Sequence, residues 1–179
     1  MTTPATTASP ASAATTASPA SPAATASPAT TASPAANPTQ RRPARPVHDV
    51  VFVDGARTPF GKAGKGMYAE TRADDLIVAV IRELLRRHPE IPPERIDEVA
   101  IAATTQIGDQ GLTIGRVAGM LAGLPKSVPG YAIDRMCAGG MTAVTTIAGS
   151  IAFGAYDLAI AGGVEHMGRH PMGEGADPN

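Results

Sequence analysis

The chain has 179 residues, a formal net charge of −1 and a single cysteine; at roughly 100–200 residues per domain that length corresponds to one domain. The near-neutral charge argues against a nucleic-acid partner, which calls for a basic footprint. One cysteine excludes a disulfide framework and suits a reducing compartment, here read as the cytoplasm.

Residues 1–47 stand apart from the rest. The hexapeptide TTASPA recurs at 6–11, 15–20 and 30–35, and nearly everything between is Ala, Thr, Ser or Pro. Such a segment cannot bury enough apolar surface to offset the entropy of ordering it, so a disordered tail is expected. It has neither the basic start nor the apolar centre of roughly 7–15 residues that a secretory signal needs. Residues 48–179 are left as the folded domain.

The apolar run at 50–53, closed by Asp54-Gly55, reads as a buried strand. TRADDLIVAVIRELLRRHPE (71–90) reads as a helix. Thr71 and Asp74 have the spacing of a capping box. Leu76, Ile77, Val80, Ile81, Leu84 and Leu85 form the apolar face, and Arg86, Arg87 and His88 suit the negative end of the dipole before Pro89. A second buried strand is expected at 99–103. A second helix follows at 113–126, ended by Gly123 and Pro125. A third strand is expected at 127–134, a third helix from Cys137 to about residue 155, and a fourth strand at 156–163. Strands that are apolar on both faces and alternate with helices indicate an α/β layered fold with a mostly parallel sheet.

From 136 to 156 there is no charged residue. About 20 uncharged residues could reach across a bilayer, but Gly, Ala, Thr and Ser outnumber large apolar residues here. No membrane span is expected; the pattern fits a helix buried on all sides within a larger protein. Some 130 residues supply barely enough layers for that, and the sequence ends in GEGADPN, loop-like after a strand. A further part of the fold is expected downstream.

Two motifs fail on inspection. GARTPFGKAGKG follows a strand, but five residues separate Gly55 from Gly61 and Ala63 follows Lys62, so it is not a phosphate loop; no G-x-G-x-x-G occurs either. His166 and His170 are spaced like helical metal ligands, but Gly162, Gly163, Gly168 and Pro171 crowd the stretch, and neither H-E-x-x-H nor a second cysteine is present. They read as loop histidines, and no metal is expected.

Cys137 is the candidate catalytic residue. Free cysteine is often simply a small buried hydrophobe. This one stands where strand turns into helix, facing unpaired N–H groups and the positive end of the dipole, a setting that favours thiolate. Gly139 and Gly140 are poor helix formers, which makes sense if something must approach the backbone there. On these residues alone, nucleophile and core residue remain equally open.

VDGARTPFGK, DRMCAGGMTAV and GGVEHMG, in this order, resemble the amino-terminal half of a thiolase (acetyl-CoA acyltransferase), nearest to the degradative 3-ketoacyl-CoA thiolases. The resemblance spans residues 48–179. It implies two similar βαβαβαββ halves packed helix to helix, with the nucleophile-bearing helix, and so Cys137, buried between them. The cysteine would attack the keto carbon of a 3-ketoacyl-CoA, release acetyl-CoA and pass the acyl group to coenzyme A, its backbone N–H serving an oxyanion hole. Coenzyme A is thus a co-substrate, with no permanently bound cofactor. The complete enzyme would be a homodimer or homotetramer, with a β-oxidation multienzyme assembly as a further partner. The residue three before the cysteine, often Asn in the family, is Asp134 here. The family's activating histidine, second cysteine and water-holding asparagine lie in the carboxy-terminal half and have no counterpart in this sequence, so the chain alone is expected to be inactive. A ketoacyl-synthase-like condensing enzyme and a non-catalytic interaction module or relic stay as alternatives.

Overall fold

A computed structural model of the chain describes residues 47–177. The tail expected to be disordered lies outside the described residues, apart from its last position, Val47.

The centre of the fold is strand β1, Glu98–Ala102, buried along its whole length. It is flanked by β2 (Gly130–Ile133) and β3 (Ala159–Gly163), both parallel to it, in the order β2-β1-β3. Val99 pairs with Gly130 on one side and Ile160 on the other. Because side chains alternate along a strand, Val99, Ile101 and Ala103 face one layer and Ala100 the opposite one. The first layer is built from helices α1 (Ala73–Arg87) and α2 (Ile114–Ala122), the second from α3 (Gly139–Ala152). The parallel α/β architecture expected from the alternating pattern is present.

Helix α1 differs in detail from its expectation. Thr71 does not cap it: Arg72 is the N-cap, without a side-chain cap bond. The Asp74 carboxylate is taken by the Arg72 guanidinium through two bonds of 2.8 and 2.7 Å, so it cannot serve a capping box. With its charge paired, Asp74 is buried, and the buried stripe keeps Ile77 and Ile81 of the expected face, with Val80 and Leu85 partly buried against it, and extends to Ala73 and Val78. Helix α2 ends as expected: Gly123, at φ 101°, bonds back to Met120 O at 3.1 Å while Leu124 N reaches Gly119 O at 3.0 Å.

At the opposite edge of the sheet, the turn from α3 to β3 is tied down by acidic side chains. Asp97 accepts the N–H groups of Asp157 and Leu158 at 2.8 and 3.1 Å, which holds its carboxyl below the usual range. The buried carboxylate of Glu98 accepts the Tyr156 hydroxyl at 3.1 Å, which pushes the phenol up.

The strand expected at 50–53 does not form. The segment is extended but outside the sheet, with Val51 and Phe52 76% and 81% exposed. A strand needs a neighbour for its N–H and C=O groups, and among the described residues the only strand beside β3 is β1. Helix α3 is likewise buried on one side only. Gly139, Ala143 and Ile147 face the sheet, whereas Met141 and Val144 on the outer face are 69% and 47% exposed. All-round burial is not supplied by the described residues. No helix among them is long and apolar enough to cross a membrane.

Candidate active site

In a parallel sheet flanked by helices, ligands gather outside the carboxyl ends of the strands. Here those ends are Ala102, Ile133 and Gly163. Cys137 stands among them in a single 3₁₀ turn, Met136–Ala138, that leads from β2 into α3. The turn is built locally. The Asp134 carboxylate accepts the Met136 N–H at 3.2 Å, and Ala138 N reaches Arg135 O at 3.1 Å. An asparagine oxygen at this position could accept the same N–H. Met136 takes φ 48°, a left-handed conformation that non-glycine residues rarely adopt. The turn therefore holds strain next to Cys137, which is a free cysteine, exposed among the described residues.

The two glycines after it have different reasons. A Cβ on Gly139 would lie 2.7 Å from the Ala102 Cβ, so Gly139 lets α3 start against the sheet. A Cβ on Gly140 would meet nothing within 4 Å. Gly140 instead lines an open cleft of about 280 Å³ together with Cys137, Thr104, Val164, Glu165 and Met167.

The cleft has two loop walls, one after β1 and one after β3, joined by polar side chains. Glu165 accepts the Thr104 N–H at 2.8 Å and a Gln110 Nε2–H at 2.9 Å. Gln110, fully buried, donates its other N–H to Thr105 O at 2.8 Å and accepts the His166 N–H at 2.6 Å. Nothing in the sequence singled out Gln110 or Thr104, and Glu165 stood only within the GGVEHMG motif, without a role. A glutamine in a polar loop reads as a surface residue, and its partners lie far along the chain.

The two loop histidines are buried, which their sequence setting did not foretell. His166 Nε2 donates to Tyr68 O at 2.8 Å while its Nδ1 accepts the Arg169 N–H at 3.2 Å, which puts the ring N–H on Nε2. His170 packs against Asp109, whose other oxygen takes Arg169 at 2.9 Å. Burial raises the Asp109 carboxyl, but its bonds to His170 and Arg169 outweigh that and leave it below the usual range. Both rings hold the loop together and neither lines the cleft. Among the described residues no group of three or more His, Cys, Asp or Glu side chains could hold a metal ion. Just before GARTPFGKAGKG, Asp54 accepts the Gly55 N–H at 2.6 Å and joins His88 at 3.1 Å and Arg87 at 3.4 Å. Those bonds tie the segment to the end of α1.

Known proteins share much of this sequence and fold. Residues 50–179 match the family described as thiolase, N-terminal domain. The chain is 42% identical over 131 residues to a 3-ketoacyl-CoA thiolase of Saccharophagus degradans, covering 73% of this chain and 34% of that protein. It is 42% identical over 126 residues to a beta-ketoadipyl-CoA thiolase of Pseudomonas putida, covering 70% and 31%. The crystal structure of the Bacillus anthracis acetyl-CoA acetyltransferase superposes with a TM-score of 0.64 at 33% identity, over 70% of this chain and 31% of that one. The chain thus spans about a third of the length of the relatives it matches.

Proposed function

The chain belongs to the thiolase family of acyltransferases, matching its amino-terminal domain, and from that premise we propose that Cys137 is the nucleophile of a thiolytic cleavage of 3-ketoacyl-CoA. The observation that carries the reading is the position of Cys137. It is an exposed cysteine on a strained turn, at the amino end of an uncharged helix, in a cleft at the carboxyl edge of a parallel sheet.

In this reading the Cys137 thiolate adds to the keto carbon. The bond between that carbon and the α-carbon then breaks; its electron pair leaves with the α-carbon, which takes a proton to become acetyl-CoA. The acyl group stays on Sγ until the sulfur of coenzyme A displaces it, returning the thiol and a shortened acyl-CoA. The Cys137 amide, in the turn before α3, and N–H groups at the start of α3 face the developing oxyanion. Coenzyme A is consumed as a co-substrate and no permanent cofactor takes part. Gly140, with no neighbour of its own to accommodate, leaves room for the thioester.

The base that activates the thiol and the acid that protonates the leaving carbon belong to a carboxy-terminal half, so the chain alone does not turn over. The open outer face of α3 fits such a partner. The domain division is a tail over 1–47 and a thiolase amino-terminal domain over 48–179. The complete enzyme is a homodimer or homotetramer acting in fatty-acid β-oxidation, and a thiol nucleophile suits the cytoplasm.

The test is coexpression with the carboxy-terminal half of the Saccharophagus degradans 3-ketoacyl-CoA thiolase. The copurified pair should cleave acetoacetyl-CoA in the presence of coenzyme A, and the chain alone should not. Cys137→Ser should abolish cleavage, and an acetyl group should be found on the Cys137 peptide after acid quenching. Cleavage that survives Cys137→Ser, or a pair that cleaves nothing, overturns the reading.

A further inference from the structure

We propose that Gln110, acting through Glu165, is a positioning residue that sets the spacing of the two loop walls over Cys137 and thereby admits the thioester end of the substrate. The inference rests on the acyl-thioester reading above and adds a residue that touches neither the substrate nor Cys137.

The geometry is a side-chain continuation of the sheet. The backbone ladder between β1 and β3 ends just beyond Gly163, where Val164 N donates to Ala102 O at 2.9 Å. Past that point both chains become loops, and their tips, Thr104 on one and Val164, Glu165 and Met167 on the other, form the cleft walls. Two loops without a ladder would drift apart on any timescale that loops sample. Glu165 bridges them by accepting from Thr104 N, and Gln110 holds Glu165 from behind while bonding Thr105 O and His166 N on either side. The Gln110 amide therefore uses both donors and its acceptor, all within a fully buried side chain. A group so completely satisfied fixes one arrangement, because any displacement strands a buried polar atom.

The amide is also chemically specific. Of the atoms facing its end, Thr105 O and Glu165 Oε1 accept and only His166 N donates. Gln110→Glu keeps the shape but sets a carboxylate against two acceptors, so the walls should part. Combining it with Glu165→Gln places an amide opposite the new carboxylate and restores a donor on that side, while its oxygen can still accept from Thr104; Thr105 O still faces the carboxylate, so the repair is partial.

The experiment compares two alkylating reagents on Cys137 in the purified chain. In each, the thiolate displaces halide and forms a thioether. Iodoacetamide is small and reports only whether the sulfur is reachable and reactive. Bromoacetyl-pantetheine carries the thioester arm and reports on the walls as well. The unsubstituted chain should react about tenfold faster with the pantetheine reagent than with iodoacetamide, relative to the same two rates on free cysteine. Gln110→Glu should bring that ratio close to one and leave the iodoacetamide rate within about twofold. The Gln110→Glu/Glu165→Gln pair should recover the ratio to within about threefold. A merely structural defect would change both reagents together and would not be repaired by the swap. Should Gln110→Glu fail to fold, Glu165→Gln alone, at an exposed site, should lower the ratio about threefold. A preference present in the unsubstituted chain and unchanged by these variants overturns the positioning role alone. No preference in the unsubstituted chain overturns it together with the acyl-thioester reading.

Discussion

Gly139 and Ala102 are in such close contact that a single added carbon would not fit between them: a Cβ on Gly139 would lie 2.7 Å from the Ala102 Cβ. The start of α3 is therefore seated on the last residue of β1, and the position of Cys137 two residues earlier follows from that seat.

Alanine substitutions at the neighbouring glycines should consequently diverge. Gly139→Ala forces α3 off the sheet and should cost about 1–3 kcal/mol, the usual range for overpacking. Gly140→Ala meets nothing within 4 Å and should be neutral or add up to about 1 kcal/mol through helix propensity. Urea denaturation midpoints of the two variants check this. Equal losses at both positions would mean that helix start, not contact with Ala102, is what Gly139 provides.

This contrast also shows how far the sequence could be read. A pair of glycines after a cysteine announced that something comes close, but only the structure separates the one serving the sheet from the one facing the cleft. The central strand, expected at 99–103 and found at Glu98–Ala102, was legible because its apolar residues run without a break, and so was the end of α2, because Gly123 takes a left-handed conformation. The segment at 50–53 misled because an apolar run reveals no partner strand. The apolar face of α1 was legible in Ile77 and Ile81, but the burial of Asp74 was not, because it depends on pairing with Arg72, a bond invisible to hydrophobic periodicity. Gln110 was illegible for a similar reason: its burial depends on Glu165, 55 positions away.

A second relationship predicts a pH dependence. His88 bonds Glu90 at 3.0 Å through Nδ1 and Asp54 at 3.1 Å through Nε2. Two carboxylates on two ring nitrogens suit the doubly protonated ring, and the bonds to Glu90 and then Asp54 raise its pKa above 6.5. Asp54 is lowered below 3.8, first by the Gly55 N–H and then by His88. Stabilisation from the raised histidine is complete below its unfolded pKa and fades as pH rises through the folded one. Stabilisation from the lowered aspartate is complete above its unfolded pKa and is lost as pH falls through its folded one. The link between Asp54 and the end of α1 is thus strongest in the window between the two. NMR titration of the His88 ring should give a midpoint above that of free histidine, and Asp54→Asn should move it down. Melting temperatures at about pH 6 and about pH 9 should differ less in His88→Gln than in the unsubstituted chain. A His88 midpoint at or below the free value would show that the bridge does not form.

The outer face of α3 yields the last prediction, because it separates what stabilises this domain from what the proposed enzyme needs. Ala143 and Ile147 lie against the sheet at 0% and 5% exposure, whereas Met141 and Val144 face outward. Ala143→Glu would put an unpaired charge in a layer with no room for it and should unfold the domain or cost at least about 3 kcal/mol. Met141→Glu and Val144→Glu touch solvent and should change stability by no more than about 0.5 kcal/mol. If a carboxy-terminal half packs its own helix there, the same two substitutions should abolish copurification with that half, since a buried charge without a partner opposes association. Denaturation of the single chain and pull-down of the pair, made on the same proteins, decide the matter. Intact stability with lost pairing assigns the face to the second half. Pairing that survives both glutamates would place the contact elsewhere and leave the apolar surface of α3 without that explanation.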